Sequence, residues 1–211
     1  MNKKGFDRWS DDYDKDVISS NNLKSYPFDG YFNVITTVNK LIKPSGADIL
    51  DIGIGSGKLS TILYKKGAKI CGVDFSRAMI KKAKRTIPYG EFYLFDFKDG
   101  LPPELKERKF NYIISTYAIH HLNDTNKIKL IKKLFNHLKP YGMIIIADIA
   151  FETEAKMLRC KKKAGDIWDD DEIYITKETF LKLLNLKGIT AKYTQISSCA
   201  AVITISQKSL K

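Results

Sequence analysis

Cysteine is scarce in this sequence, and its three cysteines lie far apart at Cys71, Cys160 and Cys199. No Cys-x-x-Cys spacing connects them, so the sequence has neither a cysteine-based metal set nor a disulfide framework. We therefore expect no metal site. An odd number of separated cysteines is typical of a protein in a reducing compartment, which predicts a cytoplasmic location.

Long apolar runs are also missing. The most apolar stretch, residues 143–151, is interrupted by Asp148 and is too short to span a bilayer. The amino terminus continues into charged residues and not into an apolar segment, so the sequence predicts no secretory signal. We expect no association with a membrane.

Acidic residues are in the minority. The chain has 36 Lys and Arg against 24 Asp and Glu, a formal net charge of +12, which attracts nucleic acids and anionic membranes. Most lysines, Lys127 among them, recur in segments with helical spacing of apolar residues, and we interpret them as the solvated outer faces of helices. The basic patch at residues 159–163 is the one that we place outside such a helix.

With 211 residues, 44% of them hydrophobic and 28% charged, the chain has the size and composition of one globular domain, residues 1–211. Short apolar runs alternate with helical periodicity, which predicts a parallel sheet with crossover helices. The predicted strands are residues 48–52, 69–74, 91–95, 112–116 and 143–148. Pro140 and Gly142 are expected to end the helix before the fifth strand.

The carboxyl-terminal part has a different pattern. Residues 152–175 are polar and charged, and we interpret them as an insertion or lid. A helix at 177–186 is followed by two β-rich segments, 190–196 and 201–206, whose short connection allows only an antiparallel hairpin. Five parallel strands and this hairpin give a seven-stranded mixed sheet with helices on both faces.

The most informative segment is residues 49–60, in which an apolar strand leads through three alternating glycines into a helix. Glycines let the backbone turn sharply and let a ligand come close to it. A phosphate-binding P-loop would need glycine at Ile52 and a hydroxyl at Leu59. A dinucleotide loop would need its third glycine at Lys58. Both patterns fail, and a nucleoside without phosphates remains.

With these residues the chain resembles the class I S-adenosylmethionine-dependent methyltransferases, whose first motif is hydrophobic-Asp/Glu-hydrophobic-Gly-x-Gly-x-Gly. Four more motifs follow in family order, at residues 73–76, 95–97, 115–122 and 138–142. Residues 6–14 resemble the start of small-molecule members, especially the YrrT-like bacterial branch. The resemblance implies a Rossmann-like α/β fold with residues 1–45 as a helical cap. It also implies S-adenosylmethionine as cofactor and S-adenosylhomocysteine as product.

The resemblance implies these cofactor-binding residues: Asp51, Gly53, Gly55, Gly57, Asp74, Phe75, Asp96, Phe97, Tyr117 and Tyr13. Asp74 can accept hydrogen bonds from both ribose hydroxyls, or else it caps the next helix. Asp96 is expected at the adenine amine, or else in a turn. Asp51 is expected to orient the loop or to meet the ammonium end of the cofactor. Acids around the site suit a cation and would repel a pyrophosphate.

Candidate catalytic residues follow the fourth strand, where His120 and His121 are two of only three histidines. Adjacent side chains point in different directions, so we expect only one of them to face the acceptor, as a general base if the acceptor is protonated. Alternatively, one histidine caps the next helix and the other packs under the loop. His137 is expected to be structural.

Aromatic residues offer two further contacts. Trp9 and Tyr13 could close over the sulfonium by cation–π interaction, or simply pack their helix onto the core. Around the insertion, Phe151, Trp168 and Tyr174 are expected to shape an acceptor pocket. The acidic run at residues 169–172 is interpreted as a solvated turn, or as a segment that attracts a cationic acceptor.

Three hypotheses of function follow. The first is methyl transfer to a small molecule by in-line displacement, by a monomer or homodimer. The second is an RNA or DNA methyltransferase, suggested by the net charge and opposed by the lack of an Asn/Asp-Pro-Pro-Tyr/Phe motif after the fourth strand. The third is a non-catalytic module that binds S-adenosylmethionine.

Overall fold

The computed structural model describes residues 13–206, with their side chains from residue 15 onward. The side chains of Trp9 and Tyr13 lie outside this part, so their expected contact with the cofactor stays a prediction. Among the described helices, none is both long enough and apolar enough to cross a membrane.

Helices and strands alternate through most of the chain. Two helices come first, α1 (Tyr13–Asn22) and α2 (Tyr31–Leu41). The middle part contains β1 (Asp48–Ile52), α3 (Lys58–Lys65), β2 (Lys69–Asp74), α4 (Arg77–Thr86), β3 (Glu91–Leu94), β4 (Phe110–Thr116), α5 (Asp124–Phe135) and β5 (Leu138–Phe151). The last part contains α6 (Glu154–Ala164), β6 (Ile175–Thr176), α7 (Lys177–Asn185), β7 (Ala191–Gln195) and β8 (Ala200–Ser206).

The strands form a sheet in the order β3-β2-β1-β4-β5-β8-β7. Every neighbouring pair is parallel except those of β8, which runs antiparallel to both β5 and β7. The predicted Rossmann-like mixed sheet of seven strands with a carboxyl-terminal hairpin is confirmed. One strand was not predicted: the two-residue β6 pairs in parallel with the end of β5.

The helices cover both faces of the sheet, as predicted. Apolar residues of α2, α3 and α4, such as Val34, Leu63 and Ile80, pack in one core cluster. Residues of α5 and α7, such as Ile131 and Leu184, pack in a second cluster on the other face. Because the parallel strands all point the same way, the loops after β1, β2 and β4 meet at one edge, where open α/β sheets bind ligands.

Strand β5 is longer than predicted. It begins at Leu138, so Pro140 and Gly142 belong to the strand and do not end the preceding helix, which stops at Phe135. The register of β4 against β5 shifts between the pairs Phe110–Leu138 and Tyr112–Met143. This bulge accommodates the proline, which has no amide hydrogen to give to a ladder.

The basic patch at residues 159–163 was predicted to lie outside a helix, and this is wrong. It lies on α6, where Thr153 caps the amino terminus by accepting a hydrogen bond from the amide of Lys156. Met157 and Cys160 on the same helix pack against the core. The patch is therefore the solvent-facing side of an amphipathic helix.

Candidate active site

A cavity of about 220 Å³ opens at the carboxyl ends of β1, β2 and β4. The loops after these strands line it, together with residues from the 26–31 segment and from the 167–172 segment. Of the predicted site residues with described side chains, the cavity brings together Asp51, Gly53, Gly55, Asp74, Phe75, Phe97, Tyr117, His120 and His121.

The glycine turn fits closely between two loops. Gly53 has a φ of 71°, and a Cβ atom on it would lie 2.4 Å from the Cβ of Ala118. Gly57, with a φ of 78°, stands at the amino terminus of α3, and its Cβ would press on Ala83 of α4. Gly57 thus serves helix packing and is not among the residues that line the cavity.

Asp51 is buried at the cavity, with a side chain that is only partly satisfied. Its Oδ2 accepts a hydrogen bond from Ser60 Oγ at 2.6 Å. Its Oδ1 is buried and accepts no hydrogen bond from any described residue. Burial raises the pKa of Asp51 to about 7, against the opposing effect of the Ser60 hydrogen bond and with a further contribution from the charge of Asp74. A cation placed beside Oδ1 would stabilise the charged form of this carboxylate and lower its pKa.

Asp74 holds the turn together. Its Oδ2 accepts from the amide of Gly55 and its Oδ1 from the amide of Ser76, both at 2.8 Å. Ser76, not Asp74, caps α4 through the amide of Met79. Asp74 also lines the cavity, so the carboxylate that holds the turn lies at the cavity wall.

Phe97 is buried and lines the cavity, as predicted. Asp96 precedes it and accepts a hydrogen bond from the amide of Lys98, so it caps the short helix Phe97–Asp99. It is not one of the lining residues. Its expected hydrogen bond with adenine stays a prediction.

An aromatic wall that was not predicted closes one side of the cavity. Tyr117 has a φ of 50° and stacks on Tyr31 of α2, with ring centroids 5.3 Å apart. Phe28 meets the same Tyr117 ring edge-on at 5.4 Å. The aromatic sequence around Tyr26 and Phe28 was the available signal.

The two histidines lie in a short helix, Ile119–His121, directly after β4. Asp148 of β5 anchors this segment, because its Oδ2 accepts from the backbone amides of Ala118, Ile119 and His120. Its Oδ1 lies 2.6 Å from Nδ1 of His120. Asp148 was missed as a site residue, although an acid within an apolar strand was a visible signal.

Both histidine rings reach the same carboxylate, whereas only one was expected to face the cavity. Glu172 Oε1 lies 3.3 Å from Nε2 of His120 and 3.6 Å from Nδ1 of His121. The tight helical turn brings the rings together, with centroids 4.2 Å apart. Glu172 belongs to the acidic run that was interpreted mainly as a solvated turn.

The charges in this cluster are strongly coupled. Burial alone would lower the pKa of His120, but the charge and hydrogen bond of Asp148, followed by Glu172, raise it to about 10. Burial and the charge of His120 lower the pKa of His121 to about 4. Burial would raise the pKa of Glu172, but the hydrogen bond and charge of His120 lower it to about 2.

A buried lysine supports Glu172. Lys127 of α5 is fully buried, which contradicts its interpretation as a solvated residue. Its Nζ donates to the carbonyl oxygen of Ile173 at 2.6 Å and to Asp124 Oδ1 at 3.0 Å. The amide of Ile173 in turn donates to the carbonyl oxygen of His120 at 2.9 Å.

The aromatic residues of the insertion form a packed cluster behind the cavity. Trp168 stacks on Tyr26 with centroids 4.8 Å apart and meets the Tyr174 ring at the same distance. Tyr26 lines the cavity, whereas Phe151, Trp168 and Tyr174 are not among its lining residues. These three side chains therefore shape the pocket indirectly, through Tyr26. His137 lies outside it, where its Nδ1 is 3.1 Å from the carbonyl oxygen of Arg108.

Known proteins with the same sequence pattern are methyltransferases. Residues 49–142 match the methyltransferase domain family. An uncharacterised methyltransferase from Geobacillus sp. (strain WCH70) is 31% identical over 197 residues, which cover 90% of each chain. Another, from Anoxybacillus flavithermus, is 31% identical over 204 residues and covers 91% of each chain. The chain belongs to the methyltransferase family and is an enzyme of this class.

Solved structures share the fold at low sequence identity. A complex of DhpI with SAM and HEP superposes with a TM-score of 0.72 at 15% identity, over 96% of this chain and 94% of that one. Magnesium protoporphyrin IX methyltransferase from Synechocystis PCC 6803 with bound SAH gives 0.68 at 19% identity, over 98% and 95%. At this level of sequence identity, both similarities show a shared fold and nothing more.

Proposed function

We propose that this methyltransferase uses S-adenosylmethionine as methyl donor and acts on a small-molecule acceptor, as the resemblance to the YrrT-like branch implies. The observation that carries the proposal is Asp51, which lines the cavity beside the glycine turn and whose buried Oδ1 accepts no hydrogen bond from any described residue. An unpaired buried acceptor is costly unless a ligand satisfies it. The ammonium group of the cofactor is a suitable donor.

The residues around the turn fit the rest of the cofactor. Asp74 would accept from the ribose hydroxyls while it holds the turn, and the carbonyl of Gly53 would accept from the ammonium group. Phe75 and Phe97 would flank the adenine, with Asp96 at its exocyclic amine. Two buried carboxylates, Asp51 and Asp74, disfavour a phosphate in the same place.

When bound, S-adenosylmethionine supplies an electrophilic methyl group. The protein then has to align the nucleophile with it and exclude water, and alignment alone can contribute roughly 7–11 kcal/mol. We assign this task to the acceptor end of the cavity, where Tyr26, His120 and His121 converge. That one of the histidines takes a proton from the acceptor stays a prediction.

The acidic character of this end favours a small molecule over a nucleic acid. Asp169 and Glu172 line it, and they would repel a phosphate backbone. They come from residues 152–175, which we propose as a lid over the acceptor, with residues 1–45 as a cap over the cofactor. The magnesium protoporphyrin IX methyltransferase, whose name refers to a small compound, supports this assignment.

Calorimetry and product analysis test the proposal. S-adenosylmethionine should bind the wild type, and Asp74→Asn should weaken binding about 10–100-fold because one charged acceptor is lost. Asp99→Asn, an exposed acid outside the cavity, is the matched control. Incubation with a metabolite pool should yield S-adenosylhomocysteine and a product heavier by one methylene.

Three results would contradict the proposal. Unchanged affinity in Asp74→Asn would show that the ribose contact is misassigned. Methylation of RNA or DNA without methylation of any metabolite would favour the nucleic-acid hypothesis. Tight binding without any turnover would favour a binding module.

A further inference from the structure

Three donor groups converge at the acceptor end of the cavity, two from the short helix after β4 and one from the 152–175 segment. His120, His121 and Glu172 each offer one donor atom, and these atoms all lie within 4.8 Å of one another. Glu172 Oε1 lies 3.3 Å from Nε2 of His120 and 3.6 Å from Nδ1 of His121, distances that match the edges of a tetrahedron with bonds of about 2.0–2.2 Å to its centre. Two imidazoles and a carboxylate form such a set in many catalytic zinc sites.

The orientation of the His120 ring is fixed through Nδ1, the ring nitrogen that does not face the cluster. Its Nδ1 lies 2.6 Å from Asp148 Oδ1, so Nδ1 keeps its hydrogen toward this carboxylate, and a metal at Nε2 would take the place of the hydrogen there. A carboxylate behind the distal nitrogen is the usual support of a metal-binding histidine. Asp148 is itself fixed by three backbone amides.

Glu172 is fixed in the same way. Tyr174 donates its hydroxyl hydrogen to Oε2 of Glu172 at 2.7 Å, which leaves Oε1 for the cluster. The next residue, Ile173, is held on both sides by Lys127 and His120. His120 and Glu172 therefore each have a rigid support outside the cluster.

The open side of the cluster faces the cavity. His121 and Glu172 retain 22% and 16% of their side-chain exposure, and both line the cavity with His120. A tetrahedral metal held by three protein groups would have its fourth coordination position directed toward the space that we assign to the acceptor. This is the arrangement of a catalytic site and not of a closed structural one.

We propose that His120, His121 and Glu172 bind a divalent transition metal of the zinc class. Imidazole nitrogens select such metals over magnesium and calcium, which prefer oxygen ligands. Metal binding stands independently of the proposed function. Its use does rest on that function: the metal would coordinate an oxygen, nitrogen or sulfur atom of the acceptor and stabilise its deprotonated, nucleophilic form, and the proton released from that atom would pass to solvent through the open side of the cluster. The expectation of no metal site, drawn from the cysteines, would then have overlooked a histidine-based one.

Titration of the full-length, tag-free, chelator-treated protein with Co²⁺ and with Zn²⁺ tests the inference. Visible absorption should follow Co²⁺ and calorimetry should follow Zn²⁺, each saturating at one metal per chain. His121→Ala and Glu172→Gln should abolish saturation, and Tyr174→Phe should weaken binding by about 10-fold because Glu172 loses its support. His137→Ala and Asp170→Asn, a histidine and an acid outside the cluster, should bind like the wild type.

The affinity for S-adenosylmethionine is measured on the same samples. Retained affinity in Glu172→Gln would show that the variant is folded and that its loss of metal is local. Absence of saturable metal binding, or equal binding by the wild type and the cluster variants, would overturn the inference. Metal binding without any S-adenosylmethionine binding would support the inference and contradict the proposed function.

Discussion

The buried ammonium group of Lys127 lies 2.6 Å from the carbonyl oxygen of Ile173, the residue after Glu172. This hydrogen bond ties the 152–175 segment to α5. Lys127 thus positions an acid that it does not touch directly.

Replacement of this lysine should affect both stability and turnover. Lys127→Met leaves the Ile173 carbonyl without its charged donor, and should lower the free energy of unfolding by about 1–3 kcal/mol. Chemical denaturation measures this change. Lys129→Met, on the exposed face of the same helix, is the control and should change stability little. A loss of equal size in both variants would contradict the role of Lys127.

The glycine turn offers a matched pair of substitutions. Gly53 and Gly46 share a φ of 71°, but a Cβ on Gly53 would lie 2.4 Å from Ala118, while one on Gly46 would have no neighbour within 4 Å. Gly46→Ala should therefore cost about 1–2 kcal/mol from backbone strain alone. Gly53→Ala should cost roughly 1–3 kcal/mol more and weaken S-adenosylmethionine binding. Thermal denaturation and calorimetry compare them, and equal costs would contradict the close fit.

The stability of the cofactor-free protein should depend on pH through Asp51. Its pKa is raised from 3.8 to about 7 in the folded state, so the folded protein binds a proton that the unfolded chain has already released. This contribution is fully present below pH 4 and is lost as the pH rises through 7, by on the order of 4 kcal/mol.

Asp51→Asn removes the titrating group and should flatten this part of the pH profile. Denaturant unfolding between pH 4 and pH 8 measures it, with Asp99→Asn as the control. Added S-adenosylmethionine should offset the loss in the wild type, because its ammonium group favours the charged carboxylate. A profile of the same slope in Asp51→Asn would contradict the assignment.

The two histidines should respond differently to removal. His120→Ala removes the ring that pairs with Oδ1 of the buried Asp148 carboxylate and should lower stability by about 1–3 kcal/mol. His121→Ala, whose side chain is 22% exposed, should lower it less and reduce turnover in a folded protein. Thermal denaturation, calorimetry with S-adenosylmethionine and turnover of the acceptor distinguish the two. Equal, near-normal rates would remove both residues from the reaction.

The sequence predicted the elements whose signals are local. The apolar runs give β1 and β2 at their observed residues. Strand β5 was predicted too short because its bulge contains Pro140 and Gly142, residues that usually end an element. Only pairing with β4 reveals that the strand continues through them.

The residues of the site also divide into those with a local sequence signal and those without one. Asp51, Asp74 and the glycines follow directly from their positions at strand ends. The roles of Glu172 and Asp148 could not be predicted in this way. These two residues meet His120 only when the 152–175 segment and strand β5 pack beside His120. Lys127 was misassigned because helical spacing shows only which face of α5 is apolar. It does not show that the 152–175 segment packs over Lys127 and accepts its hydrogen bond.

In the proposed reaction, Asp148 links the donor and acceptor ends of the cavity. Through the amides of Ala118 and Ile119 it fixes the loop that touches Gly53, and through His120 it fixes the ring at the opposite end of the cavity. A shift of the donor side would therefore be passed on to the acceptor side through a single carboxylate. Because nucleophilic displacement tolerates little misalignment, this shared anchor keeps both reactants on a common axis.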